Sequence, residues 1–138
     1  MFFRKKSQTE SSKQDPDKVI ADMIDRTQAT IQFDPKGNII TANKNFLNAV
    51  GYSLDEIVGQ HHAMFVDKAY AKSAEYKTFW EKLGKGEVNT NQFQRVTKSG
   101  ETIWIQATYA PSFDAEGQVC GVVKVATDVT GRRKGLQA

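Results

Sequence analysis

Cysteine, histidine, proline and long apolar runs are all scarce in this chain, and most of these scarcities exclude something. The single cysteine, Cys120, has no partner for an internal disulfide and fits a reducing cytoplasm. No apolar run approaches the roughly 20 residues of a membrane span, so no transmembrane segment is expected. The opening Met1-Phe2-Phe3-Arg4-Lys5-Lys6 lacks the apolar core of a secretory signal, and the expected location is cytoplasmic. The only histidines, His61 and His62, are adjacent. Neighbouring side chains diverge along a helix or strand, and no further cysteine or acidic cluster completes a tetrahedral set, so no metal site is expected. Neither a G-x-S-x-G elbow nor a G-x-x-x-x-G-K-[ST] phosphate loop occurs, and the acids are scattered; the chain is not expected to be an enzyme.

Positive charge is also scarce where nucleic acid would need it. The net charge of +3 arises at the ends, from Arg4, Lys5, Lys6, Lys13 and Lys18 and from Arg132, Arg133 and Lys134. Between residues 19 and 131, eleven basic residues face thirteen acidic ones. That balance offers no continuous phosphate-binding face, and nucleic acid is not an expected partner.

What is present is a strand-rich C-terminal half. Ile103, Ile105, Ala107 and Tyr109 alternate with Trp104, Gln106 and Thr108, the period of a strand with two different faces. Asp114 to Gly117 supplies a turn, and a second strand over 118–129 is rich in valine. This pair reads as the middle of an antiparallel sheet, with Ile103, Ile105 and the closing valines central to the core. Residues 1–14 are polar and aperiodic and read as a mobile tail. Asp15-Pro16 opens a flanking helix over 15–28, with Val19, Ile20, Met23 and Ile24 as one apolar stripe. Strands at 29–34 and 39–42 form a hairpin. A short helix over 43–50 follows, then a capping-box turn at Ser53 to Glu56, and a loop or broken turn over 60–66. One long helix is expected over 67–83, with Tyr76, Phe79, Trp80 and Leu83 inward, and a third long strand over 87–97. The 138 residues thus read as one α+β domain, a five-stranded antiparallel sheet with helices on one face and an N-terminal flanking helix. Residues 131–138 head outward as the start of a linker or signalling helix.

In this order, Asn38-Ile39-Ile40-Thr41-Ala42-Asn43, Phe46, Gly51-Tyr52-Ser53, Glu56-Ile57-Val58-Gly59, the Lys98 to Glu101 turn and the closing Asp128-Val129-Thr130 resemble a PAS domain over about residues 19–130. Gly59 to Met64, residues 76–86 and Trp104 are most similar to the cytoplasmic PAS modules of bacterial chemoreceptors, the aerotaxis and biofilm-dispersal groups. The resemblance implies a sensory domain of a bacterial signal-transduction protein that binds a cofactor or small ligand and relays its state to a downstream signalling domain. The alternative is a cofactor-free PAS module for dimerisation. Haem or FAD is the cofactor the family suggests. In the aerotaxis group a tryptophan commonly follows a GE-P pair after the long helix, whereas Gly86-Glu87-Val88-Asn89 stands here. No counterpart of the photoreactive flavin-cysteine loop is present.

The resemblance matches His62 and Asn43 to residues of the ligand pocket, and His61 and Trp80 are further candidates. One neutral imidazole suffices as an axial ligand of haem iron, so His61 or His62 would serve if haem is bound. Core packing is the alternative for Trp80, and a structural or solvated role for the histidines. Trp104 either lines the pocket or sits on the outer sheet face, the second being favoured. Asp128 and Thr130 can each accept a backbone N–H where the last strand ends, and are the expected signal relay. A homodimer is expected through the N-terminal helix, the outer sheet face, or both.

Overall fold

Asp15 accepts a hydrogen bond from the Asp17 N–H at 3.0 Å, and Pro16 supplies the preset φ of a first helical position; α1 (Pro16–Thr27) starts there. The structure, a computed structural model, describes residues 13–132. The expected tail over 1–14 therefore lies almost wholly outside the described residues, and so does the segment from residue 133 onward. Among the described residues, no helix is long and apolar enough to cross a membrane.

After α1 come β1 (Ala29–Phe33), β2 (Ile39–Ala42), α2 (Lys44–Val50) and α3 (Leu54–Ile57). A 3₁₀ turn (His62–Phe65), α4 (Lys68–Ala71) and α5 (Ala74–Gly84) follow, and then β3 (Asn89–Val96), β4 (Thr102–Phe113) and β5 (Val119–Asp128). The strands form one antiparallel sheet in the order β2-β1-β5-β4-β3, so the last strand lies at the centre, as expected. The capping turn is built as expected: the Ser53 N–H donates to Glu56 Oε1 at 2.8 Å.

Two expectations need correction. The single helix over 67–83 is two, because Ser73 interrupts it: its Oγ donates to the Tyr70 carbonyl at 2.6 Å and accepts from the Tyr76 N–H at 3.1 Å, ending one helix and capping the next. The inward stripe of Tyr76, Phe79, Trp80 and Leu83 is unaffected. The closing valines also divide between the two faces. Strand parity turns Val122, Lys124 and Ala126 inward, while Val123 and Val125 lie half-buried on the other side. The inner row of β5 thus carries a lysine where a uniformly apolar wall was expected.

Trp104, half-buried, lies on the face of β4 opposite Ile103 and Ile105. Register then sets the inner rows. Phe93, Ile105 and Asp128 lie across β3, β4 and β5, and Tyr109 and Lys124 lie opposite one another on β4 and β5.

Candidate functional site: a buried polar chain and a two-cation cavity

The histidine pair is split by its backbone. The hairpin turn and the approach to the 3₁₀ turn run side by side: the Ile39 N–H donates to the Gln60 carbonyl at 2.8 Å, and the His62 N–H to the Gly37 carbonyl at 2.9 Å. Asn38 and His61 form a bridge there, so His61 is extended and consecutive side chains point opposite ways. His61 turns outward; its Nε2 donates to the Lys36 carbonyl at 2.8 Å and its Nδ1 accepts from the Ala63 N–H at 3.0 Å. Gly37 makes this approach possible. Its φ is +95°, and a Cβ there would stand 2.8 Å from both His61 Nε2 and Trp80 Cζ2.

His62 turns inward and is completely buried. Its Nδ1 lies 2.7 Å from Tyr76 Oη and its Nε2 2.9 Å from Tyr109 Oη. Arg95 Nη2 donates to the same Tyr109 oxygen at 3.0 Å. That oxygen accepts from the guanidinium, and a neutral imidazole donates through one ring nitrogen to one tyrosine and accepts through the other from the second. Burial, and after it the charges of Arg95 and Lys124, hold His62 well below the ordinary value of 6.5, so the imidazole is neutral. Burial likewise raises Tyr109, and it raises Tyr76 to about 12. Rings close around the histidine, with Trp80 and Phe33 5.3 and 5.4 Å from it centre to centre.

Beside this chain lies a cavity of about 20 Å³. Phe46, Val50, Phe65, Ile103 and Ile105 form its apolar wall, and Arg95, Lys124 and Asp128 its polar edge. Arg95 is 4% exposed; its Nη1 donates to the Gln94 carbonyl at 2.7 Å, its guanidinium lies 4.8 Å from the Phe93 ring centre, and its Nε has no partner. Lys124 is 0% exposed and its Nζ has no hydrogen bond. The ring centres of Tyr109 and Phe46 lie 4.9 and 5.4 Å from it. Burial, reinforced by the Arg95 charge, pushes the lysine well below its ordinary 10.5.

Asn43 and Trp80 are placed apart from this cavity. Asn43 caps α2, accepting from Phe46 and Thr30 N–H groups at 2.9 and 3.0 Å and donating to the Gln28 carbonyl at 2.9 Å; its amide is used up fastening the end of α1 to the sheet. Trp80 packs in the aromatic cluster, against Phe33 and both histidines. At the end of β5, Asp128 Oδ1 accepts from the Thr130 N–H at 2.8 Å, Thr130 Oγ1 accepts from the Trp104 N–H at 2.9 Å, and the Val129 N–H donates to the Trp104 carbonyl at 2.9 Å. Residues 130–132 are helical. Thr127 Oγ1 donates to Gln28 Oε1, so the two flanks of the domain meet.

The interior does not fit haem or flavin as packed. Both nitrogens of His62 are taken by tyrosine hydroxyls, and the cavity is far smaller than a porphyrin or an isoalloxazine. Cys120, an exposed residue of β5, lies against Ser112.

Residues 25–134 match the family described as PAS fold. The biofilm dispersion protein BdlA of Pseudomonas aeruginosa is 45% identical over 106 residues, which are 77% of this chain and 25% of that protein. The aerotaxis receptor of Escherichia coli is 30% identical over 108 residues, 78% of this chain and 21% of the receptor. The crystal structure of a PAS domain from Colwellia psychrerythraea superposes with a TM-score of 0.72 at 24% identity, covering 86% of this chain and all of that one. A light-oxygen-voltage domain, solved in work on a flavin analogue, gives 0.69 at 24% identity over 84% and 87% of the two chains. At that identity the two structures show the fold alone. This chain spans about a quarter or less of the length of the BdlA protein and the aerotaxis receptor.

Proposed function

This chain belongs to the PAS-fold family, and we propose that it is the sensory domain of a chemoreceptor-type signalling protein, taking a ligand on the inner face of its sheet and passing the ligand's state out through the end of β5. One observation carries the proposal: the cavity bounded by Arg95 and Lys124 is also bounded by Asp128, whose carboxylate caps Thr130. A change in the cavity therefore acts directly on the hydrogen bonds that fix where the sheet stops and the next helix starts. Asp128 and Thr130 serve as the relay, and a following signalling domain reads it. His62, with Tyr76 and Tyr109, forms the neutral floor beside the ligand; His61, Asn43 and Trp80 hold the surrounding frame. The relatives named for aerotaxis and biofilm dispersion support a sensory role in bacterial signalling.

A second role has its own observation. Val19, Ile20 and Met23 on α1 are 42%, 60% and 56% exposed, and α1 buries none of its residues. Such a stripe is suited to a symmetric contact with a second copy of the chain, and the domain acts as a homodimer through it.

Native mass spectrometry and a visible spectrum of the purified chain, with a thermal-shift panel of anionic, neutral and cationic small molecules, test the sensory role. A retained small molecule, or a saturable shift with one class, is expected. A Soret band or a band near that of flavin would show that the interior opens for a planar cofactor. No retained mass and no shift from any class would exclude ligand sensing and leave only the dimerisation role.

A further inference from the structure

We infer that the cavity between Arg95 and Lys124 is a binding site for a small monovalent anion, a short-chain carboxylate; this rests on the sensory role above and names its ligand class. Both cations are buried to more than nine-tenths, and neither forms an ion pair among the described residues. A lone buried charge is costly because nothing replaces the water it has lost. Arg95 cannot swing out to find solvent, since the Gln94 carbonyl, the Tyr109 hydroxyl and the Phe93 ring hold its guanidinium. Lys124 sits at the centre of the sheet, on the inner row of β5.

The polar edge thus holds two donors without partners, the Arg95 Nε–H and the Lys124 amine, with the Asp128 carboxylate at the rim; the amine takes up its proton together with the anion. A carboxylate meets both at once. It supplies one negative charge and a planar pair of acceptor oxygens, and charge-assisted bonds of this kind are the strong ones. The remaining wall sets the rest of the molecule. Phe46, Val50, Phe65, Ile103 and Ile105 accept a short alkyl group and have no partner for a second polar one. The volume of about 20 Å³ is that of about one water-sized group, so the wall must give way even for a two- or three-carbon acid and excludes anything longer. Asp128, on the same inner row, repels a second negative charge at the rim. Acetate and propionate satisfy these limits; succinate and phosphate esters do not.

The test uses the whole chain and compares sodium acetate, propionate, succinate and chloride at equal ionic strength with acetamide and propionamide, by thermal shift and by calorimetry. Acetate and propionate are expected to raise Tm saturably, and the amides, succinate and chloride are not. Lys124→Met, which replaces the amine with an apolar chain of similar length and is expected to remain folded, should weaken propionate at least about tenfold. Arg95→Met should weaken it as well. An equal shift from chloride, or carboxylate binding that survives Lys124→Met, overturns the assignment. A neutral compound or a planar cofactor binding in place of the carboxylates overturns the anion while leaving the sensory role standing. No binding by any class overturns both.

Discussion

Tyr109 and Lys124 face one another across β4 and β5 in exact register, and the lysine amine lies 4.9 Å from the centre of the tyrosine ring while that ring's hydroxyl bonds His62. One aromatic side chain therefore joins both halves of the interior: the neutral hydrogen-bonded chain on its edge and the unpaired cation on its face. The consequences of disturbing either half differ in sign.

Lys124→Met should stabilise the domain by about 1–3 kcal/mol in carboxylate-free buffer, because it removes a buried amine with no hydrogen bond and keeps the volume. Urea unfolding measures it. A loss of similar size would mean that the ring contacts outweigh the lost hydration.

Tyr109→Phe should have the opposite effect and cost about 1–3 kcal/mol, since it strands both His62 Nε2 and Arg95 Nη2. Tyr76→Phe leaves one bond unmade rather than two and should cost less. Equal losses for the two variants would contradict the chain drawn from Arg95 through Tyr109 to His62.

The pH dependence follows from the directions of the shifts. His62 and Lys124 are both held below their ordinary 6.5 and 10.5, so over these windows the unfolded chain binds more protons and stability rises with pH. Tyr109 and Tyr76 are raised above 10.0, so above that value the folded state binds more protons and stability falls. Arg95 from β3 and Asp128 from β5 are the other charged residues lining the cavity with Lys124. Stability should fall as the medium is acidified below 6.5 and should climb as the pH is raised towards 10. Lys124→Met should flatten that alkaline climb; an unchanged slope would show that the lysine is charged in the fold.

Ile20→Glu with Met23→Glu should convert a dimer to a monomer without loss of fold, since both positions are exposed on α1. Light scattering reads the mass. A wild-type chain that is monomeric at about tens of micromolar removes the dimer.

The fold was legible because its signals are local. Alternation along β4, the Asp15-Pro16 cap, the Ser53 capping box and the inward stripe of α5 each depend on neighbours a few residues away. The break at Ser73 leaves no mark on the apolar stripe, because Tyr76, Phe79, Trp80 and Leu83 all lie beyond it, and only the Ser73 cap reveals a new start. The site was less legible. His62 was singled out, but its partners Tyr76, Tyr109 and Arg95 come from three elements, and only register joins them. Lys124 did leave a signal. It alternates with Val122 and Ala126, so parity places it inward, although the surrounding valines make the strand look uniformly apolar.

Hydrogen exchange at the Val129 and Thr130 amides, with and without saturating propionate, tests the link from cavity to output most directly. Asp128 Oδ1 holds the Thr130 N–H at 2.8 Å from the rim of the cavity, and an anion bound inside repels that carboxylate. Thr130 should therefore exchange several-fold faster with propionate bound, while β2, at the far edge of the sheet, is unchanged. Exchange at Thr130 that is the same with and without propionate would contradict the account.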